Sequence, residues 1–280
     1  MHPFGAFLSS DIGWIWSLNI YVYSSLNGLV GQSYYFDSLV GLALSSNLVK
    51  AGVIGSCFMF AWLVGRDEEQ IKIRRKILLI TLVAAVFTLA TTKTLSKVVF
   101  LPRPFIVSEK TFHLEGEQLV ESPRLDYKVA EDDDTEKEIF QLKQGQIAQN
   151  DMGSFPSDHA GFFFTIALGI LLACRRAGMI ALCWTIFVPL SAKIMLGQHY
   201  PIDILAGAAA GTVILFALRL LFSRIGDRFL TPITEWTIAH SALSAALMFV
   251  VLFEVSNTLD GVRKVGKLGK DVAKHMVGRP

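Results

Sequence analysis

The sequence predicts an all-α fold, a polytopic membrane bundle of about six transmembrane helices with one long external loop. Hydrophobic residues make up 52% of the 280 residues and charged residues only 18%, which is too apolar for an ordinary soluble domain. Long apolar stretches recur along the chain, and basic residues concentrate in the short links between them. Because the net charge is only +2, nucleic acid is not expected as a partner.

The first third of the chain predicts an interfacial segment followed by two spans. Residues 1–41 contain an aromatic-rich stretch without basic anchors, which favours an interfacial or re-entrant segment, and no removable signal peptide is expected. A first span is predicted over about 42–64 and a second over about 77–101. The link between them is rich in Lys and Arg, so the positive-inside tendency predicts that it is cytoplasmic.

Residues 105–154 form an extended polar segment, which we interpret as an external loop. Its centre, residues 131–134, is acidic. A calcium site is the alternative, but the run lacks the spaced Asp and Gly pattern of a calcium-binding loop. A solvated loop is therefore the preferred interpretation.

The rest of the chain predicts four further spans and a basic tail. The spans are placed at about 160–173, 179–196, 202–222 and 233–253. The third span of the chain, 160–173, is short unless residues 157–159 form its first turn. The last contains Glu235 and His240, for which an interfacial or helix-packing role is more usual than a functional one. Together these features divide the chain into 1–41, a membrane domain at 42–257, and a tail at 258–280. Six spans place this basic tail outside, against the positive-inside tendency.

The first candidate functional stretch is Phe155-Pro156-Ser157-Asp158-His159, directly before an apolar run. A helix that begins here would offer unpaired backbone N–H groups and the positive end of its dipole to an anion such as phosphate. The simpler alternative is that Ser157 or Asp158 only caps the helix.

The second candidate stretch contains His199 and Asp203, with Pro201 between them at a favourable helix start. Asp203 could accept a proton from one imidazole nitrogen and leave the other as a nucleophile. The alternative is a loop histidine beside a capping aspartate. Lys193, near the external end of the preceding span, could bind phosphate or extend to the membrane interface.

Two histidines, an aspartate and several cations, without a cysteine or metal-ligand cluster, are the groups needed for phosphoryl transfer through a phosphohistidine. No metal and no cofactor are expected. The three cysteines lie inside apolar stretches and predict neither a disulfide framework nor a zinc site. They are Cys57, Cys174 and Cys183.

These stretches resemble the three signature motifs of the type 2 phosphatidic acid phosphatase superfamily of membrane lipid phosphatases. The family motifs are Lys-x6-Arg-Pro, Pro-Ser-Gly-His and Ser-Arg-x5-His-x3-Asp. The chain has related stretches at 97–104, 156–159 and 192–203. The resemblance implies that His199 is the nucleophile, that Asp203 orients it and that His159 is the general acid. The implied phosphate ligands are Arg103, Ser157, Lys193 and Lys97.

Three departures from the family motifs bear on the substrate. Lys97 lies one residue too close to Arg103, and Lys193 replaces an arginine, which removes a planar fork that grips two oxygens. Asp158 replaces the glycine of the second motif, a variant similar to that of bacterial undecaprenyl pyrophosphate phosphatases.

The resemblance therefore implies an integral membrane enzyme that removes the terminal phosphate of a polyprenyl pyrophosphate, with undecaprenyl pyrophosphate favoured. The implied location is a bacterial inner membrane, with the site on the periplasmic or external side. Three alternatives stay open: a phosphatidic acid or phosphatidylglycerophosphate phosphatase, a lipid phosphotransferase, and a catalytically weakened membrane binding protein.

Overall fold

The computed structural model describes residues 13–99, 101–107, 112–115, 118–121, 128–130, 146–148 and 153–256. The fold is all-α, as the sequence predicts. The helices before the polar loop are α1 (Gly13–Asn27), α2 (Tyr34–Ser45), α3 (Asn47–Leu63), α4 (Glu68–Val98) and α5 (Pro104–Val107). Those after it are α6 (Asp158–Ala173), α7 (Arg175–Thr185), α8 (Ser191–Met195), α9 (Pro201–Ile225), α10 (Asp227–Ala239) and α11 (Ser241–Ser256). A π-helical turn, Ile186–Leu190, joins α7 to α8 at Pro189, which has no N–H for the regular ladder.

Short strands occur within the predicted polar loop. β1 (Phe112–Glu115) pairs antiparallel with β2 (Gln118–Glu121), and β3 (Lys128–Ala130) pairs parallel with β4 (Gln146–Ala148). The acidic centre at 131–134 lies outside the described residues, and so does the predicted basic tail, 258–280.

In the described part of the chain, three helical segments are long and apolar enough to cross a membrane. They are Glu68–Ser96, Arg175–Met195 and Pro201–Arg224. The number rises to five if two bent pairs are each one span, α2 with α3 at 64° and α10 with α11 at 112°. The shorter apolar helix α6 lies among them. These lengths and compositions are those of a membrane protein.

Helix α6 is the centre of the bundle and packs against α4, α7 and α9. It begins where predicted, because the hydroxyl of Ser157 accepts a hydrogen bond from the backbone N–H of Ala160 and caps the first turn. Large side chains of α6, including Phe162 and Ile166, are fully buried against Phe58 and Leu78 of its neighbours. The start of α6 is therefore held firmly.

A glycine lets α9 approach the start of α6 closely. A Cβ atom added at Gly207 would lie 2.3 Å from the carbonyl oxygen of Ser157 and 3.0 Å from the backbone nitrogen of Gly161. Only a residue without a side chain permits this separation. The contact fixes the stretch at 156–159 against the stretch at 192–203.

The N-terminal segment is helical and contacts the elements that carry the candidate stretch at 192–203. Helix α1 packs against α8 and α9. The side-chain amide of Asn27 donates to the carbonyl oxygen of Met195 at 2.7 Å, and Asn19 accepts from the N–H of Ile202 at 2.9 Å. The predicted first span, 42–64, is divided by a break at Ser46 between α2 and α3.

The last predicted span, 233–253, is divided in the structure between two helices. Residues up to Ala239 belong to α10, which turns by 112° into α11. The guanidinium of Arg75, on α4, donates to the carbonyl oxygen of Thr237 at 2.6 Å and holds α10 at that end of the bundle. Glu235 lies 4.0 Å from Lys72 in an ion pair, and His240 is exposed and stacked on Trp236.

Candidate active site

Backbone hydrogen bonds bring the three motif-related stretches, 97–104, 156–159 and 192–203, together at one end of the bundle. The N–H of Ser154 donates to the carbonyl oxygen of Leu101 at 2.7 Å, next to Arg103. The N–H of Phe105 donates to the carbonyl oxygen of Gly197 at 2.9 Å. The N–H of Ser157 donates to the carbonyl oxygen of Asp203 at 3.0 Å. Stretches far apart in sequence therefore form one contiguous site.

A glycine in the left-handed conformation positions the link between α8 and α9. Gly197 has a φ of 70°, which lets the chain reverse directly after α8. The N–H groups of Gln198 and His199 then bond back to the carbonyl oxygen of Lys193, at 2.9 Å and 3.3 Å. The imidazole of His199 is thus placed by a rigid turn.

His199 is buried, with 4% of its surface exposed, and its Nδ1 lies 2.9 Å from the carbonyl oxygen of Ser154. The carboxylate oxygen Oδ2 of Asp203 lies 3.7 Å from the same nitrogen, beyond hydrogen-bond distance. The nearest acceptor to Nδ1 is therefore the backbone carbonyl of Ser154, and the orienting role of Asp203 stays a prediction. Because a carbonyl oxygen only accepts, Nδ1 carries the proton and Nε2 has a free lone pair.

Burial is the main reason that the pKa of His199 is lowered to about 4. The positive charges of Lys193 and Arg103 lower this pKa further, while Asp203 partly opposes the change. At neutral pH the imidazole is consequently uncharged. An uncharged imidazole is the form that can act as a nucleophile.

Asp203 has a structural position at the start of α9. It is fully buried, and its Oδ2 accepts a hydrogen bond from the backbone N–H of Tyr200 at 2.7 Å. Its backbone oxygen accepts the hydrogen bond from Ser157. Its Oδ1 has no hydrogen-bond partner among the described residues. The carboxylate therefore stabilises the segment between α8 and α9 that carries His199. Its negative charge acts on the imidazole from 3.7 Å.

The second histidine forms a close pair with the preceding residue. Nδ1 of His159 lies 2.7 Å from Oδ1 of Asp158, and the His159 side chain is 31% exposed. Since a carboxylate only accepts, Nδ1 of His159 is the donor. Burial is the main reason that the pKa of His159 is lowered, the charge of Lys193 lowers it further, and the contact with Asp158 partly opposes this change. The sequence indicated Asp158 as a departure from the family motif, and the structure adds its contact with His159.

Three cations lie in the same electrostatic neighbourhood. Lys193 is buried, with 7% of its surface exposed, and its Nζ donates to the amide oxygen of Gln198 at 3.1 Å. The charges that act on Lys193 are those of Arg103, Asp158 and Lys50. The resulting positive potential would attract an anion.

Lys50 is a further cation whose charge acts on the candidate site, and the sequence motifs did not include it. It lies in the first turn of α3, where the carbonyl oxygen of the adjacent Val49 accepts a hydrogen bond from Trp184 at 2.8 Å. This contact brings the start of α3 beside the segment that carries Lys193, and the Lys50 charge acts on both Lys193 and His159. A lysine inside an apolar span was the available signal, because such residues are costly unless they serve a site.

The structure does not test the predicted phosphate contacts of Ser157 and Lys97. Ser157 is fully buried and caps α6, as the simpler alternative required, so its contact with phosphate stays a prediction. The side chain of Lys97 lies outside the described residues. Within the part of the chain that the structure describes, no group of three His, Cys, Asp or Glu side chains is arranged to hold a metal ion.

The fold and the candidate site describe a helical membrane protein with two histidines and several cations at one end of the bundle. Residues 76–227 match the PAP2 superfamily, and the chain belongs to this family. This membership confirms the resemblance of the three motifs.

Two curated relatives share parts of the chain. Over 84 residues, the chain is 30% identical to "Putative undecaprenyl-diphosphatase YbjG" of Escherichia coli strain K12, covering 30% of this chain and 42% of the relative. Over 60 residues, it is 42% identical to "Bacitracin transport permease protein BcrC" of Bacillus licheniformis, covering 21% of this chain and 29% of the relative. The matches thus span less than half the length of either relative. No solved structure matches the chain.

Proposed function

We propose that the protein is a membrane lipid phosphatase that removes the terminal phosphate of a polyprenyl pyrophosphate, with undecaprenyl pyrophosphate as the favoured substrate. The observation that carries the proposal is the 2.9 Å contact between Nδ1 of buried His199 and the Ser154 carbonyl oxygen, which favours the tautomer with an unprotonated Nε2, in the positive field of Lys193 and Arg103. Family membership and the name of the Escherichia coli relative support the substrate class.

The cations hold the terminal phosphate in this proposal. Arg103, Lys193 and Lys50 neutralise its oxygens, and the charge that gathers on them in the transition state strengthens these contacts. Ser157 completes the cradle from the start of α6. The polyprenyl chain stays in the bilayer while its diphosphate reaches the end of the bundle.

Phosphoryl transfer proceeds in two balanced steps. Nε2 of His199 attacks the terminal phosphorus as the bond to the bridging oxygen breaks, and protonated His159 gives its proton to the leaving lipid phosphate. Neutral His159 then takes a proton from water, whose oxygen attacks the phosphohistidine. The phosphorus–nitrogen bond breaks, inorganic phosphate leaves, and both histidines return to their first state.

The test is phosphate release by the purified protein in detergent. We expect turnover of undecaprenyl pyrophosphate, its loss in His199→Ala, and normal turnover in His240→Ala, since His240 is exposed at the other end of the bundle. Unchanged phosphate release in His199→Ala would refute the mechanism. Without turnover of any lipid phosphate by the wild type, a binding protein would replace an enzyme as the best account.

The substrate is tested in the same assay with phosphatidic acid and phosphatidylglycerophosphate. Turnover of these phospholipids without turnover of undecaprenyl pyrophosphate would reassign the substrate. Adding lipid or sugar hydroxyl compounds during turnover separates a hydrolase from a phosphotransferase, because a transferase would move the phosphate onto the acceptor. We place the protein in a bacterial inner membrane with the site on the external side, which labelling of an introduced cysteine in intact cells would test.

A further inference from the structure

A cavity of about 620 Å³ lies at the end of the bundle opposite to the candidate active site. Helix α6 begins beside His199 and ends at Ala173, and the cavity is lined by residues around that far end, including Cys174. The end of α3 and the beginning of α4 complete its walls. None of the proposed catalytic groups contributes to this cavity.

Four arginines line the cavity. Arg66 comes from the link between α3 and α4, Arg74 from α4, and Arg175 and Arg176 from the first turn of α7. No acidic residue is among the described residues that line it. Nη1 of Arg74 donates to the carbonyl oxygen of Val64 at 2.6 Å, which holds this guanidinium at the wall. Such a concentration of guanidinium groups favours a phosphate, which each of them can grip through two parallel hydrogen bonds.

The rest of the lining is apolar and open to the surroundings. Phe60 on α3 is 52% exposed and Ile180 on α7 is 58% exposed. Both side chains belong to segments proposed to cross the membrane, so their exposed surfaces face acyl chains. A ligand that fills this cavity therefore needs an anionic head and an apolar body.

We propose that this cavity binds the phosphate headgroup of an anionic phospholipid from the membrane leaflet at this end of the bundle. Basic pockets between transmembrane helices are suited to such headgroups. The arginines contact the phosphodiester, and the acyl chains lie along Phe60 and Ile180. This lipid is a bound partner with no terminal phosphate for the active site to remove, so the proposal is independent of the proposed function.

The general tendency of basic residues to collect on one membrane face is the competing explanation. The chain offers a matched control, because Arg224 and Arg228 belong to the ends of α9 and α10 at the same end of the bundle but do not line the cavity. Replacing either pair removes two positive charges. Only replacement of Arg175 and Arg176, which line the cavity, should remove a specific lipid site.

The experiment is native mass spectrometry of the purified full chain with phosphatidylglycerol. We expect one retained phosphatidylglycerol on the wild type and on Arg224→Gln/Arg228→Gln. Arg175→Gln/Arg176→Gln should lose affinity by about tenfold or more, because it loses charge-assisted hydrogen bonds. Thermal unfolding of each variant checks that it is folded, and Arg175→Lys/Arg176→Lys should recover part of the binding.

Separate arms with phosphatidylcholine and inorganic phosphate identify the ligand chemistry. Phosphatidylcholine should bind at least about tenfold more weakly, because its headgroup has no net charge. Equal binding of inorganic phosphate at the cavity would overturn the lipid as ligand. Equal losses in the two double variants, or no retained lipid on the wild type, would overturn the site. Phosphate release from undecaprenyl pyrophosphate is measured in parallel and should be unchanged in both double variants.

Discussion

Gly207→Ala tests whether the close contact between α6 and α9 assembles the active site. The added methyl group would lie 2.3 Å from the carbonyl oxygen of Ser157. An ordinary contact between carbon and oxygen is about 3.3 Å or more, so the helices must separate locally by about 1 Å. Asp203 lies one turn earlier on α9, and its hydrogen bond from Ser157 joins the two helices. The shift therefore moves His199 relative to His159.

The expected loss is large in activity and small in stability. A misplacement of about 1 Å can reduce a catalysed rate by about 100-fold. Overpacking costs about 1–3 kcal/mol in the free energy of unfolding. The higher helix propensity of alanine offsets about 1 kcal/mol of this loss in the free energy of unfolding. The variant should consequently remain folded while losing most of its turnover.

The assay is kcat for phosphate release, together with thermal unfolding in the same detergent. Gly55→Ala is the matched control, because a Cβ atom at Gly55, also within a helix, would meet no other atom within 4 Å. This control should keep full activity and gain stability slightly. Full activity with increased stability in Gly207→Ala would refute the contact and the assembly of the site that depends on it.

Three further variants test the charges around the histidines. In wild type, kcat/KM should fall with decreasing pH near pH 4, because His199 has a pKa of about 4, below the ordinary value of 6.5, and attacks only when neutral. Lys193→Gln removes a charge that lowers this pKa, so the fall of kcat/KM on the acid side of the pH profile should move to higher pH. An unchanged pH profile would show that the Lys193 charge does not act on His199. Lys50→Met should lower kcat/KM for undecaprenyl pyrophosphate by about tenfold, as expected for loss of a charge-assisted contact, whereas Lys72→Met, at the other end of the bundle, should not change it. Asp158→Asn removes the carboxylate partner of His159, the proposed proton donor. It should slow turnover of phosphatidic acid, whose leaving alkoxide needs a proton, more than turnover of undecaprenyl pyrophosphate; equal slowing of the two substrates would contradict this role.

The sequence predicted the parts of this site that are carried by side chains within short motifs. Ser157 begins a helix because a hydroxyl before an apolar run is a strong cap, and the structure has that cap. The motifs also placed His159 and His199 in one site, because each lies at the same end of a predicted span. Span lengths and loop alternation predict only that both histidines lie at the same end of the bundle.

Other contacts could not be predicted because they depend on backbone groups or on distant segments. The partner of His199 is the backbone carbonyl of Ser154, and a backbone acceptor leaves no mark in the residue type. Lys50 precedes the first motif by a whole span and reaches the site only because α3 packs beside the segment that carries Lys193.

The last span shows a limit of hydropathy. Apolar residues continue through Trp236 and Ile238, so the sequence gives no clear boundary between α10 and α11. The bond from Arg75 to Thr237 holds α10 at the end of the bundle, and a bend of 112° then separates the two helices. Such a long-range anchor becomes visible only in the folded chain.

The most direct test of the central claim is to trap the phosphorylated protein during turnover. Undecaprenyl pyrophosphate labelled in its terminal phosphate is added, the reaction is stopped in alkali, where phosphohistidine is stable, and the modified peptide is identified by mass spectrometry. We predict phosphate on His199 in wild type and in His240→Ala, and none in His199→Ala. Continued turnover without any phosphorylated histidine, or phosphate on His159 instead, would contradict the account.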